Sequence, residues 1–303
     1  MSRIHEALKK AASERIAQPA ANSVSDLVGL IGEDGSEKVG AAVALDQAKN
    51  TASSAQRVRN PQFEELLQKC QHVTWRVDPR SSVFANEVRD PTGAEKFRTL
   101  RSRLYQITST RPLKRIVVTS SLPAEGKTFI ASNLAQSIIR QQNRRVLLID
   151  ADLRASRLHL SFGAENAPGL SDYLRGEADE FSIIQVGPEP NLCLIAGGAD
   201  VSNPSELLHS KAMENLLDRL APMFDWVILD SPPAIAVHDA SILADICDGV
   251  LFVVRAGATD FEVAQKALGE FDAKHMLGVV MNRVDKSQGY PYYYAYTKEP
   301  AKG

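Results

Sequence analysis

The feature that most constrains this chain is the stretch 115–134, in which a β-branched run leads through a small-residue turn into Gly126-Lys127-Thr128. The apolar run at 116–118 predicts a buried parallel strand, and the residues after Thr128 follow a helical pattern. Strand, loop and helix in this order are typical of a phosphate-binding loop (P-loop), in which backbone N–H groups and the helix dipole attract phosphate. Lys127 would then reach the β and γ oxygens of a nucleotide, and the Thr128 hydroxyl would hold Mg²⁺.

The loop departs from the strict P-loop pattern at one position, because Ser121 stands where the first glycine is usual. A chance Gly-Lys-Thr at an ordinary helix start is the alternative, and the tripeptide alone does not exclude it. The strand before the loop and the carboxylate motifs after it favour a nucleotide-binding site. The candidate nucleotide-binding residues of the loop are Ser121, Pro123, Ala124, Glu125, Gly126, Lys127, Thr128 and Phe129.

Two further apolar runs end in aspartate. Residues 146–149 predict a buried strand that leads into Asp150-Ala-Asp152, and residues 226–229 predict another that leads into Asp230. Carboxylates at positions i and i+2 of an extended chain point to the same side, which at the carboxyl end of a parallel strand faces the ligand crevice. Buried together they would repel unless a cation lay between them. Asp150, Asp152 and Asp230 are therefore candidate catalytic residues together with Lys127, and a bound Mg²⁺ is expected among them.

Predicted strands at 192–195, 250–254 and 277–281 alternate with helical segments. The sequence therefore predicts an α/β fold of the P-loop NTPase type, a mostly parallel β-sheet flanked by helices on both faces. Asn282 and Arg283 follow the last strand, where an amide that both donates and accepts could hold a nucleotide base. Asp239 and Asp245 lie on a predicted helix and are interpreted as helix caps and surface charge.

Bulk composition predicts a soluble protein with no general affinity for nucleic acid. The net charge is −2, with 24% charged and 44% hydrophobic residues. The three cysteines are far apart and lack metal-binding spacing, which predicts reduced thiols in a cytoplasmic protein. No apolar run reaches the roughly 18 residues of a membrane span.

Four segments are expected along the chain. Residues 1–16 predict a short amphipathic helix that docks on its own domain, on a partner or on a membrane surface. Residues 17–81 predict a mostly disordered linker, in which some order returns after residue 60. The folded P-loop domain is placed at 82–285, and a flexible tyrosine-rich tail at 286–303.

Five of the seven tyrosines lie in the tail, at Tyr290, Tyr292, Tyr293, Tyr294 and Tyr296. Glycine, proline and the lack of apolar periodicity predict an exposed end of the chain. Composition leaves two interpretations open. The tail is either an aromatic segment that packs on a partner or a cluster of phosphorylatable hydroxyls beside a nucleotide site.

Glu95, Arg98 and Arg101 are spaced three apart on a predicted helix and so form a charged stripe along one face. The spacing alone favours a solvated surface.

Taken together, the loop at 121–128, the Asp150 and Asp152 pair, Asp230 and the tyrosine tail resemble the bacterial tyrosine kinases (BY-kinases) of exopolysaccharide synthesis. The likeness covers about residues 85–296. It is strongest to the free-standing cytoplasmic autokinases paired with exosortase-type loci, whose first residues also look like Met-Ser-Arg-Ile-x-x-Ala-Leu. The family's oligomerisation signature, Glu-x-x-Arg-x-x-Arg, is met by the charged stripe, which the resemblance identifies as a subunit contact.

The resemblance implies an ATP-dependent, non-specific protein-tyrosine kinase that phosphorylates its own tail and regulates exopolysaccharide or capsule synthesis and export. The implied cofactors are ATP and Mg²⁺, with Mg²⁺ held by Thr128, Asp152 and Asp230. Asp150 would orient or deprotonate the attacking tyrosine, although the division of roles between Asp150 and Asp152 stays open.

The implied partners are further copies of the chain in a ring, where the tail reaches a neighbour's site, and a tyrosine phosphatase. A membrane-embedded polysaccharide chain-length co-polymerase would activate the kinase and recruit it to the inner face of the membrane.

Two residues depart from the family pattern. Ala124 replaces the first glycine of Pro-Gly-Glu-Gly-Lys and is strained if the backbone needs a positive φ there, and Ser156 stands where proline is common. A ParA/MinD-like ATPase switch is the main alternative, although such proteins carry an extra lysine at the position of Leu122. A nucleotide-binding scaffold without transferase activity is the third hypothesis, and Ala124 supports it.

Overall fold

Short apolar runs that end in polar residues form the central strands, as expected of a parallel sheet buried on both faces. In the computed structural model, residues 60–85, 87–88 and 91–284 are described. The strands are β1 (Gln71–His72), β2 (Arg115–Ser120), β3 (Val146–Asp150), β4 (Ile184–Val186), β5 (Leu192–Ile195), β6 (Trp226–Asp230), β7 (Gly249–Arg255) and β8 (Met276–Asn282).

Helices connect these strands, together with a 3₁₀ turn at Ala221–Met223. They are α1 (Pro61–Lys69), α2 (Pro91–Thr108), α3 (Lys127–Ile139), α4 (Leu158–Phe162), α5 (Leu170–Leu174), α6 (Glu180–Ile183), α7 (Pro204–Leu208), α8 (Lys211–Leu220), α9 (Asp239–Asp245) and α10 (Phe261–Leu268).

The eight strands form one sheet in the order β1-β4-β5-β3-β6-β2-β7-β8. Only the pair β4 and β5 is antiparallel among these strands, and every other neighbouring pair is parallel. Parallel neighbours need a crossover connection, and helices supply it on both faces. The predicted α/β fold with a mostly parallel sheet is confirmed.

Alternate residues of the central strands pack into two apolar layers on opposite faces of the sheet. Val117 and Leu147 belong to the layer that contains α8, whereas Val118 and Leu148 belong to the layer that contains α3. All four side chains are fully buried, and burying each is worth about 1.5–3 kcal/mol. Every residue of α3 from Ile130 onward is buried as well. The core therefore fixes the position of α3 and of the loop that precedes it.

The described part of the chain starts at Asn60, ahead of the boundary predicted at Ser82, and includes a helix and a strand before that residue. The Asn60 side chain caps α1 by accepting from the backbone N–H of Gln62 and Phe63, and the Phe63 ring packs edge-on against Phe224 with centroids 5.3 Å apart. Trp75 lies against Phe162 at 5.1 Å. A few aromatic side chains thus bury parts of a segment whose average composition is polar and in which the sequence predicted that some order returns. Residues 1–16 and 17–59 of the predicted segments lie outside the described residues.

The carboxyl ends of β2, β3 and β6 lie side by side at one edge of the sheet. Asp150 at the end of β3 is opposite Asp230 at the end of β6, and Asp230 is opposite Val118 of β2. In open α/β sheets ligands bind at this edge. Within the part of the chain that the structure describes, no helix is long and apolar enough to cross a membrane.

Candidate active site

The loop between β2 and α3 passes through two residues with left-handed backbone conformation. Gly126, which caps α3, has a φ of 101°, and Ala124 has a φ of 64°. A Cβ atom on Gly126 would come within 2.1 Å of the Asn282 Nδ2 atom, so both conformation and space require glycine there. Ala124 has no such freedom, and it occupies the strained conformation that was expected if the loop needs a positive φ at this position.

The first turn of α3 presents backbone N–H groups to the crevice. Among the described residues, the N–H groups of Gly126, Lys127 and Thr128 donate to no protein acceptor. A helix start leaves such donors without intrahelical partners, and the helix dipole makes them attractive to anions. The start of α3 is therefore suited to hold phosphate groups.

Lys127 connects this helix start to the carboxylates. Its Nζ atom donates to Asp152 Oδ2 at 2.8 Å, and both side chains are largely buried, with exposures of 14% and 6%. Burial acts to lower the pKa of Lys127, but the charges of Asp230, Asp152 and Asp150 outweigh it, so the pKa is raised. The ammonium group stays charged, and one contact with Asp152 leaves two of its protons for phosphate oxygens.

Asp150 is held by the turn that follows its own strand. Its Oδ2 atom accepts from Ser156 Oγ at 2.7 Å, from the Leu158 N–H at 2.9 Å and from the Arg157 N–H at 3.0 Å. Its Oδ1 atom accepts from the Asp152 N–H at 3.2 Å. Burial raises the pKa of Asp150 to about 6, although these hydrogen bonds oppose the rise. The hydroxyl of Ser156, one of the two departures from the family pattern, therefore acts on a candidate catalytic carboxylate.

Asp230 is completely buried, and only part of its hydrogen-bonding capacity is used. Its Oδ1 atom has no hydrogen-bond partner among the described residues. Burial raises the pKa of Asp230 to about 7, against the charge of Lys127 and a hydrogen bond from the Thr128 side chain. A buried carboxylate oxygen without a partner costs free energy, so it needs either a proton or a cation.

The site as a whole contains more carboxyl groups than ammonium groups. Asp150, Asp152 and Asp230 face the single ammonium group of Lys127. Carboxylate and hydroxyl oxygens are the ligands that Mg²⁺ uses in proteins, and Thr128 supplies a hydroxyl beside Asp230. The donor set and the unpartnered oxygen of Asp230 fit a divalent cation.

Glu125 lies in the loop but turns its side chain into the protein. It is 2% exposed, and its Oε2 atom accepts from the Leu122 N–H at 2.8 Å. Its Oε1 atom accepts from the Thr259 hydroxyl. The predicted nucleotide-binding role of this residue therefore concerns its backbone, while the carboxylate holds the loop.

Asn282 and Arg283 lie at the end of β8, as predicted. The Asn282 Nδ2 atom donates to the Glu125 carbonyl at 2.8 Å, and its Oδ1 atom accepts from the Arg283 N–H at 2.9 Å. Asn282 thus holds the loop through the Glu125 carbonyl and has one amide proton left for a ligand. Arg283 is exposed and has a φ of 55°.

The remaining loop residues occupy three different environments. The Ser121 hydroxyl is buried and has no hydrogen-bond partner among the described residues, whereas Pro123 is exposed. The Phe129 ring packs against Phe97 of α2 with centroids 5.9 Å apart, so it anchors α3 to α2.

A buried carboxylate next to the site is paired with Arg154, a partner that the sequence did not identify. Asp239 at the start of α9 is fully buried and accepts from Arg154 Nε at 2.8 Å, while the Ser205 hydroxyl donates to its Oδ1 atom at 2.5 Å. The interpretation of Asp239 as a cap or surface charge was wrong, because Arg154 neutralises it from a segment 85 residues earlier in the chain. No local pattern indicated this pairing.

The charged stripe on α2 divides between solvent and protein. Arg98 pairs with the exposed Glu95 at 3.0 Å and also with Glu87. Arg101 instead donates to the Ser137 carbonyl of α3 at 2.5 Å, and burial lowers its pKa. Two members of the stripe thus remain near the surface, and the third contacts its own chain. The five tail tyrosines lie outside the described residues.

Comparison with known proteins identifies relatives of this fold and site. Residues 116–300 match the family described as the CobQ/CobB/MinD/ParA nucleotide binding domain. The tyrosine-protein kinase YwqD of Bacillus subtilis (strain 168) is 38% identical over 205 residues, which cover 66% of this chain and 86% of that protein. The tyrosine-protein kinase ptk of Acinetobacter johnsonii is 33% identical over 207 residues, or 68% of this chain, but the match spans only 28% of that longer protein.

Solved structures agree with these relatives. The kinase domain of the Escherichia coli tyrosine kinase ETK superposes with a TM-score of 0.61 at 32% identity, covering 70% of this chain and 85% of that chain. The chimerical protein CapA2B2 gives a TM-score of 0.64 at 29% identity and covers 75% of this chain and all of that chain. With its P-loop, its carboxylate cluster and these relatives, the chain belongs to the bacterial tyrosine-protein kinases, within the CobQ/CobB/MinD/ParA nucleotide-binding family.

Proposed function

We propose that this protein is an ATP-dependent autokinase that phosphorylates the tyrosines of its own tail in trans and thereby regulates exopolysaccharide or capsule synthesis and export. The observation that carries the proposal is the position of Lys127, whose ammonium group lies among three buried carboxylates at the start of α3. Relatives named as tyrosine-protein kinases support the same reaction.

The nucleotide phosphates are assigned to the start of α3. The unpaired N–H groups of Gly126, Lys127 and Thr128 and the Lys127 side chain together provide donors and positive charge for the β- and γ-phosphates. Thr128, Asp152 and Asp230 would hold Mg²⁺, which when bound offsets the charge of the phosphates. The raised pKa of Asp230 and its unpartnered Oδ1 atom support that assignment.

Asp150 is the residue that we assign to the attacking tyrosine. A phenol with a pKa near 10 is a weak nucleophile, so a positioned carboxylate that accepts its hydrogen bond or its proton speeds the transfer. Three donors occupy Asp150 Oδ2, whereas Oδ1 accepts a single N–H at 3.2 Å. Oδ1 is therefore the oxygen available to a tyrosine hydroxyl.

The acceptors in this proposal are Tyr290, Tyr292, Tyr293, Tyr294 and Tyr296. A neighbouring copy in a ring-like homo-oligomer presents them to the site, with Glu95, Arg98 and Arg101 of α2 forming the contact between copies. Phosphate added to the tail repels the acidic site of the neighbour and loosens the ring. A tyrosine phosphatase removes these phosphates and returns the tail to its unphosphorylated state.

In the cell we place the kinase in the cytoplasm, recruited to the inner face of the membrane by a membrane-embedded polysaccharide co-polymerase. The putative tyrosine-protein kinase CapB of Staphylococcus aureus, which is 29% identical over 218 residues, supports the kinase activity in this proposal.

The test is the intact mass of the protein after incubation with Mg-ATP, with and without the cytoplasmic segment of the co-polymerase. We expect successive phosphate additions in the wild type, none in Lys127→Met, and few in a variant with all five tail tyrosines changed to phenylalanine. Mixing Lys127→Met with the phenylalanine variant tests transfer between copies, because only the Lys127→Met chain carries acceptors and only the other chain is active.

Each failure has a distinct meaning. ATP hydrolysis without a gain in mass under every condition contradicts the kinase assignment and favours a ParA/MinD-like switch. Nucleotide binding with neither hydrolysis nor transfer leaves a non-catalytic scaffold. Phosphate addition to the wild type without transfer in the mixture contradicts only phosphorylation in trans.

A further inference from the structure

The nucleotide loop contains a buried carboxylate that faces away from the crevice. Glu125 is 2% exposed, and its Oε2 atom accepts from the Leu122 N–H at 2.8 Å, which closes the loop on itself over three residues. A buried ionised side chain is tolerated only where donors replace the water that it has lost. One donor from the loop leaves Oε1 in need of partners.

Those partners come from the last residue of β7 and from the turn that follows this strand. The Thr259 hydroxyl donates to Glu125 Oε1 across 134 residues of chain, and the Arg255 N–H approaches the same oxygen at 3.4 Å. Thr259 is itself only 7% exposed. Its hydroxyl is therefore a buried side-chain donor that reaches the loop carboxylate from another part of the fold.

The same loop carries backbone strain that its surroundings must hold in place. Ala124, directly before Glu125, has a φ of 64°, a conformation that alanine keeps only when neighbouring contacts impose it. Two hydrogen bonds flank Ala124. The Leu122 N–H donates to the Glu125 carboxylate, and the Asn282 amide donates to the Glu125 carbonyl. If the Glu125 carboxylate loses the hydrogen bond from Thr259, the strained segment is free to relax.

We infer that Thr259 is a positioning residue for nucleotide binding, which acts through Glu125 to hold the loop in the shape that directs the N–H groups of Gly126, Lys127 and Thr128 at phosphate. Thr259 touches neither the nucleotide nor the reacting atoms in this scheme. The inference rests on the proposed nucleotide site and adds a determinant of affinity from outside the motif.

Two substitutions separate the hydroxyl from the shape of the side chain. Thr259→Val removes the hydroxyl and keeps the volume, whereas Thr259→Ser keeps the hydroxyl and loses a methyl group. We expect Thr259→Val to weaken binding of Mg-ADP and to raise the KM for ATP by about tenfold, because the lost hydrogen bond has a charged acceptor. Thr259→Ser should remain within about twofold of the wild type.

The kinetic pattern distinguishes positioning from general damage to the fold. At saturating ATP, kcat of Thr259→Val should change by less than about twofold, since the carboxylates and Lys127 are untouched. Hydrogen exchange of the Leu122 amide should be faster in Thr259→Val than in Thr259→Ser. If Thr259→Val does not fold, Thr259→Ala removes the same hydroxyl and carries the same expectations.

The outcomes separate this inference from the function on which it rests. If the wild type binds Mg-ADP and Thr259→Val binds it equally well, the positioning role is refuted and the proposed function is unaffected. Equal loss of affinity in Thr259→Val and Thr259→Ser also refutes it, because the methyl contact would then matter instead of the hydroxyl. A wild type that binds no nucleotide refutes the proposed function.

Discussion

Replacing Asp230 with asparagine should stabilise the metal-free protein while abolishing phosphoryl transfer. Asp230 is fully buried, its Oδ1 atom has no partner among the described residues, and burial raises its pKa to about 7 from an ordinary value of 3.8. The carboxylate is therefore more costly in the folded state than in the unfolded chain. Asparagine keeps the size of the side chain and removes the charge.

The magnitude follows from proton linkage. The folded state holds the Asp230 proton up to about pH 7, and the unfolded chain releases it near pH 3.8. The folded state binds more protons between these values, so the stability contributed by this group is greatest below pH 3.8 and falls as the pH rises to 7. The cost of the aspartate is about 2 kcal/mol at pH 5 and about 4 kcal/mol at pH 8. The buried asparagine amide also needs hydrogen-bond partners, and this requirement cancels about 1–2 kcal/mol of the stability gained by removing the charge.

Urea unfolding in EDTA at pH 5 and pH 8 measures the effect. We expect Asp230→Asn to gain about 2 kcal/mol at pH 8 and roughly nothing at pH 5. Asp239→Asn is the matched control, because Asp239 is equally buried but paired with Arg154. That variant should lose about 2 kcal/mol, less than a fully enclosed pair would lose, since Arg154 is 39% exposed.

In the presence of Mg-ADP the wild type should be more stable to urea than Asp230→Asn, because only the wild type keeps the full set of oxygen ligands. A loss of stability in Asp230→Asn at pH 8 in EDTA, comparable to that of Asp239→Asn, would refute the reasoning. The ionised carboxylate would then be satisfied within the protein, and its need for a cation would disappear.

Three further outcomes are expected. Ala124→Gly should raise stability by up to about 1 kcal/mol in urea unfolding, because relief of the left-handed strain exceeds the added entropy of the unfolded chain; a clear loss would show that φ at this position carries no strain. Ser156→Ala removes a donor from Asp150, so kcat should fall about tenfold with KM unchanged, and an unchanged kcat would exclude Ser156 from the site. The three buried cysteines should react with maleimide at pH 8 only after unfolding, since burial raises the pKa of each thiol, that of Cys70 to about 12; rapid labelling of the native protein would contradict this.

Local signals were sufficient to predict the sheet and to indicate which side chains meet at the candidate site. Apolar runs that end in aspartate at 150 and 230, and one that leads into Gly126-Lys127-Thr128, mark strands whose carboxyl ends meet at one edge of a parallel sheet. The structure brings Lys127 and Asp152 to 2.8 Å at this edge. Short-range patterns succeed here because the candidate phosphate- and cation-binding residues are directly attached to strand ends.

Average composition placed the folded domain from Ser82 onward, although individual apolar residues predicted some order after residue 60. The segment at 60–81 contains few apolar residues, yet Phe63 and Trp75 are both 7% exposed in the described structure. An average over a window cannot tell which individual side chains find a partner such as Phe224, which lies far away in sequence.

The contacts that hold the site in place were decided by the tertiary structure. Nothing in the neighbourhood of Thr259 indicates that its hydroxyl meets Glu125 across 134 residues, or that Arg154 neutralises Asp239 across 85. Whether a polar side chain is buried and paired depends on which segments the fold packs together. The sequence by itself determined the chemistry available at the strand ends, because strand, loop and helix are encoded by neighbouring residues. Only the packed sheet determined which distant donors satisfy the buried charges, since a buried charge without a hydrogen-bond or ion-pair partner costs free energy.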